Sequence, residues 1–110
     1  MPRIPSVFNK IKKEVLGDKY DLSIALISPV AMRRAMKYKK KKTNKVSNVL
    51  AFPLSKNSGE ILICPQRALP YTIEYLFIHG LLHLKKLTHS GTMEREERRL
   101  LRRFGFRAHE

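Results

Sequence analysis

The chain has 110 residues, 23 of them Lys or Arg against 9 Asp or Glu, which gives a formal charge of +14 at pH 7. That length allows one domain with a modest core and excludes two, and a composition 43% hydrophobic and 29% charged excludes a disordered tail. A lone cysteine, Cys64, excludes a disulfide-stapled secreted fold, while the positive excess asks for a polyanionic partner, nucleic acid or an anionic membrane.

In chain order, the opening MPRIPSVFNKIKKEV has no apolar run of signal-peptide length before its charges begin. From Ser6 to Leu16 the residues Val7, Phe8, Ile11, Val15 and Leu16 recur near the 3.6-residue period, so the spacing predicts an amphipathic helix stopped by Gly17. Asp21 to Ser28, with Leu22, Ile24, Leu26 and Ile27, reads as a strand. The apolar stretch Leu22 to Met32 is about half the length a membrane-crossing helix needs and is interrupted by Ser and Pro. A cytoplasmic protein with no membrane partner is therefore expected. Ser28 and Pro29 suit the cap and first turn of a helix running to about Tyr38, and a Lys-rich loop follows. Asn48 to Leu54 and Gly59 to Cys64 are two more runs of strand length, broken by Pro53 and the turn-like Lys56-Asn57-Ser58-Gly59. Cys64, at the end of the second run, is expected as a small buried core residue. Ile73 to about Leu84 reads as a strongly apolar helix and Met93 to Phe104 as a charged one. There is no internal repeat. Three strands and four helices predict a layered α+β or α/β fold, a single domain over residues 1–110.

The charge is unevenly spread. No acidic residue occurs from Leu22 through Gly59, where Arg33, Arg34, Lys37, Lys39 to Lys42, Lys45 and Lys56 stand. A second basic set, Arg95, Arg98, Arg99, Arg102 and Arg103, occupies the last helix and is partly offset by Glu94, Glu96 and Glu97. Lysine runs are commonly solvated surface, but without nearby acids the first block points to phosphate contacts, which carry affinity rather than sequence preference. The chain has no tryptophan and its aromatics form no RNP-like stacking motif.

Three of the four histidines fall within eleven residues. His79 and His83, at i and i+4, project from one helix face about a turn apart, so both can reach one zinc ion, and His89 lies beyond the helix end where a turning chain can bring it back. Three protein ligands leave a fourth position for water, whose pKa a metal lowers to about 7. Nickel, cobalt and copper also accept imidazole, and histidines at this spacing can equally serve packing or capping. The HxxxHxxxxxH spacing is shared with metzincin proteases, but their Glu after the first His and Gly between the last two are Gly80 and Lys86 here, so the protease's general base is missing. His109, one residue from the C-terminus, is expected at the surface.

The stretch His79-Gly80-Leu81-Leu82-His83-Leu84, closed by His89, resembles the H-G-x-L-H-L-x-G-Y-D-H signature of the YbeY endoribonucleases of ribosomal RNA maturation. Ser47-Asn48-Val49-Leu50-Ala51-Phe52-Pro53 and Gly59-Glu60-Ile61-Leu62-Ile63 are similar to that family's T-N/D-V-L-S-F-P and G-D-I-x-I strands. Met93-Glu94-Arg95-Glu96-Glu97 and Leu100 resemble its M-x-x-x-E-x-x-x-L closing helix. The likeness covers about Ser47 to Gly105 by motif and the N-terminal half by element order. The family's G-Y-D before the last ligand reads Lys86-Leu87-Thr88.

The resemblance implies an α+β fold with a small mixed sheet and one zinc per chain held by His79, His83 and His89. It also implies metal-dependent hydrolysis of single-stranded RNA, ribosomal RNA and the small ribosomal subunit being the expected partners. The family's phosphate-binding arginine falls at Lys41 when counted back without gaps, with Lys40 and Lys42 as neighbours; lysine keeps the charge but not the bidentate fork. The alternative is a ribosome-associated RNA-binding protein that keeps a structural or vestigial zinc and has no turnover.

Overall fold

A helix as uniformly apolar as Ile73–Leu84 has to be covered on nearly every side, and the chain is arranged to do so. In a computed structural model, which describes residues 4–39, 46–85 and 91–106, the elements run α1 (Val7–Leu16), β1 (Asp21–Leu26), α2 (Pro29–Tyr38), β2 (Val49–Ser55), β3 (Ser58–Ile63), a 3₁₀ turn (Pro65–Arg67), α3 (Ile73–Leu84) and α4 (Gly91–Arg103). The three strands form one mixed sheet in the order β1-β3-β2: β1 pairs with β3 in parallel, Ile24 opposite Ile61, and β2 pairs with β3 antiparallel, Ala51 opposite Ile61. The fold is therefore α+β with a small mixed sheet.

Strand alternation sends successive side chains to opposite faces and so creates two layers. Val49, Ala51, Ile61 and Ile63 join Leu22, Ile24 and Leu26 on the face covered by α1, α3 and α4. Leu50, Phe52 and Leu62 lie on the other face with Met32 and Met36 of α2 and with Cys64. Cys64 is fully buried, as expected of a core cysteine, and its amide donates to the Asn48 carbonyl at 2.9 Å.

Within the larger layer, α3 buries Leu76, Phe77, Ile78, Gly80, Leu81, Leu82 and Leu84, each large side chain contributing about 1.5–3 kcal/mol. It packs against β2, β3, α1 and α4, and Phe8 of α1 stacks on Phe77 with centroids 4.0 Å apart. Gly80 makes the close approach to the sheet possible, because a Cβ there would come to 3.1 Å from two side-chain atoms of Ile61.

Local signals act as the sequence predicts. Ser28 Oγ accepts the Ala31 amide at the start of α2, Pro29 occupies its first turn, and Gly17 ends α1 at φ +96°. Pro53 differs from expectation: rather than breaking the run it sits inside β2, at a register irregularity between Pro53 and Ser55. β2 is an edge strand, where a missing N–H leaves no ladder bond unmade. Among the described residues, no helix is long and apolar enough to cross a membrane.

Candidate active site

Apolar packing leaves one stripe of α3 for polar rings. Thr72 Oγ1 caps the helix by accepting the Tyr75 amide at 3.0 Å, and Tyr75, His79 and His83 then follow at four-residue intervals, all partly buried. The two imidazoles meet edge to face, with centroids 4.6 Å apart at 77°, and their Nε2 atoms are 3.1 Å from each other. On its other side, His79 Nδ1 lies 2.6 Å from Glu97 Oε2. Glu97 comes from α4 and is only 5% exposed, flanked on its helix by the buried Met93, Leu100 and Leu101.

The donor set fixes the chemistry. An ionised carboxylate only accepts hydrogen bonds, so Nδ1–H of His79 donates to Glu97 and the lone pair of Nε2 is turned toward His83. In the neutral pair, His83 Nε2–H donates to that lone pair. The same two nitrogens suit a metal ion, because at 3.1 Å apart both can lie within the about 2.0–2.1 Å at which imidazole binds zinc. A carboxylate on the far nitrogen of the ring is the usual support of a metal-bound histidine, since it sets the tautomer and strengthens the ligand. Among the described residues, no group of three or more His, Cys, Asp or Glu is placed to hold a metal ion; the pair offers two nitrogens.

Tyr75 completes the cluster. Its ring lies between Tyr71, 4.9 Å away at 13°, and His79, 6.0 Å away at 21°. Burial first, then the charge of Glu97, the nearby Tyr71 and a hydrogen bond to the Glu97 carboxylate, push its phenol up to about 12. Glu97 thus receives both the imidazole N–H and the phenol, and no buried side-chain nitrogen or oxygen among the described residues lacks a partner.

A model of the family described as Endoribonuclease YbeY matches residues 3–105. The chain belongs to the YbeY endoribonuclease family. The match extends through the N-terminal half, where the motif likeness had been one of element order only. No curated protein and no solved structure gives a match. The family places RNA as the class of substrate, and in this YbeY chain its H-G-x-L-H segment is the stripe just described: the histidines supply the paired nitrogens, and the glycine lets their helix settle on Ile61.

Of the residues expected at the site, His79 and His83 are brought together, while His89 and Lys41 lie outside the described residues, as do Lys40, Lys42 and the Lys86-Leu87-Thr88 segment. Arg33, Arg34 and Lys37 belong to α2, in the layer across the sheet from α3. Two residues of the cluster, Glu97 and Tyr75, were not among the site residues that the sequence singled out. Glu97 was legible as a carboxylate spaced with Met93, Leu100 and Leu101 on the apolar side of its helix. Tyr75 was legible four residues before His79 on the same face.

Proposed function

We propose that this YbeY chain is a metal-dependent endoribonuclease that hydrolyses single-stranded ribosomal RNA at a zinc ion held by His79, His83 and His89. The observation that carries this reading is the approach of the two Nε2 atoms to 3.1 Å with Glu97 fixed on the far nitrogen of His79. When bound, an ion in such a site supplies Lewis acidity toward a phosphoryl oxygen and acidifies a water.

The chain's own residues prepare that chemistry. Glu97 holds His79 in one tautomer and one orientation, so the ligand is set before the ion arrives. Tyr75 stacks on His79 and shields the carboxylate on one side, which keeps the hydrogen bond in a low-dielectric setting. Lys41 binds a substrate phosphate as a point charge, and the Lys-rich block around it attracts the RNA backbone of the small ribosomal subunit.

Cleavage of a defined single-stranded RNA tests the reading. The native protein should cut it, a chelator should stop cutting, and added zinc should restore it. His83→Ala should abolish cutting while RNA affinity stays nearly unchanged, because the lysine block is intact. Equal cutting by the native and His83→Ala proteins would show that another nuclease is responsible. No cutting by either, with the native protein fully loaded with metal, would favour a ribosome-associated RNA-binding protein that retains its ion for structure.

A further inference from the structure

We infer that the outer face of α4 is a second RNA-binding surface, gripping the sugar-phosphate backbone at a point remote from His79 and His83. It rests on RNA being the substrate class of the family and is independent of the metal.

α4 has two unlike sides. Met93, Glu97, Leu100 and Leu101 are buried against the core, whereas Arg95, Arg98, Arg99, Arg102 and Arg103 are all exposed and line a surface groove of about 420 Å³. At 3.6 residues per turn, Arg95 and Arg102 point roughly 140–160° around the axis from Glu97, away from the imidazole pair that Glu97 supports.

The arginines divide into two groups. Glu14 of α1 accepts hydrogen bonds from Arg99 at 3.3 Å and Arg103 at 3.1 Å, and Glu96 accepts from Arg99 at 2.8 Å. Among the described residues, Arg95 meets only the hydroxyl of Thr92 at 3.3 Å, and Arg98 and Arg102 have no hydrogen bond or ion pair. Three guanidinium groups with no carboxylate partner among the described residues therefore stand at spacings of three and four residues along about 10 Å of helix. Each presents a planar fork suited to bidentate contact with a phosphate.

A phosphodiester chain fits this row better than an anionic bilayer does. Binding to a membrane surface needs apolar side chains beside the charges to enter the acyl boundary, and the apolar side chains of α4 are in the core. An RNA that occupies the imidazole site has to run around α4 to reach the row, so only longer RNAs should feel it.

The experiment compares native protein with the Arg98→Gln/Arg102→Gln variant by fluorescence anisotropy, using single-stranded RNAs of roughly 25 and roughly five nucleotides over a range of salt. Both residues are exposed, so the melting temperature should match the native one. The expected result is a loss of about tenfold or more in affinity for the long RNA. The slope of log K against log salt should fall by about 1.4, the release of two phosphates' counterions at about 0.7 each. Binding of the short RNA should not change, and Arg98→Lys/Arg102→Lys should keep most of the slope. Glu14→Gln, which takes the carboxylate from Arg103 and leaves Arg99 with Glu96 alone, should bind the long RNA more tightly with a steeper slope, an effect that damage to the fold cannot mimic. An unchanged slope in the double Gln variant, an equal loss on both RNAs, or no gain from Glu14→Gln would overturn the inference. So would unchanged RNA affinity combined with lost binding to phosphatidylserine vesicles, which would make α4 a lipid-facing surface.

Discussion

Replacing Glu97 by Gln keeps the size of the side chain and one oxygen that can still accept from His79 Nδ1–H, but removes the charge. The 2.6 Å contact is then a neutral hydrogen bond. A bond to a charged group contributes about 1.5–3 kcal/mol and a neutral one about 0.5–1.5, so His79 loses about 1–1.5 kcal/mol of support. At the proposed zinc site this should appear as about a tenfold loss of metal affinity, at the lower end of the 10- to 100-fold range for such supporting groups. Competition of the purified protein with a chromogenic zinc chelator measures it directly. A second readout needs no metal. Glu97 is a main cause, after burial, of the raised Tyr75 phenol, so Glu97→Gln should bring one late-titrating tyrosine down from about 12 toward 10 in an ultraviolet titration. Native-like zinc affinity together with an unmoved tyrosine would refute the reasoning that Glu97 governs both rings.

Gly80→Ala gains helix propensity of about 1 kcal/mol but drives a methyl group to 3.1 Å from the fully buried Ile61; overpacking of about 1–3 kcal/mol should prevail. The midpoint of chemical denaturation should therefore fall, and adding Ile61→Val should recover part of it. Tyr75 favours its neutral form in the fold, so the folded chain keeps a proton that the unfolded chain releases near 10. Its contribution to stability is present below pH 10 and fades as pH rises from about 10 toward 12, and Tyr75→Phe should flatten the stability profile measured across that window. Replacing Lys40, Lys41 and Lys42 with Ala should weaken RNA binding by about 1–3 kcal/mol and flatten its salt dependence; unchanged affinity and slope in filter binding would assign the run to solvated surface.

The parts of the fold set by neighbours along the chain were legible. The period of Val7, Phe8, Ile11 and Val15, the Ser28-Pro29 start and the apolar run of α3 each specify an element locally. The parallel pairing of β1 with β3 was not, because alternation tells which face a residue takes and not which strand lies beside it. The site divides in the same way. His79 and His83 are a turn apart and could be paired by counting. Glu97 is eighteen residues from His79 and adjoins Glu96 and Arg98, so only the packing of α4 on α3 separates it from a surface charge. That packing also changes the charge of the last helix: Glu97, counted in sequence as an offset to the arginines, is turned inward, and Glu14 from α1 takes its place against Arg99 and Arg103.

Elemental analysis of the purified native protein beside the His79→Ala and His83→Ala variants tests the central claim most directly. One zinc-like ion per native chain, falling at least tenfold in each variant, is the predicted result, because a metal site that loses one of its imidazoles rarely holds zinc against buffer. Equal metal content in all three proteins, or none in the native one, would contradict it.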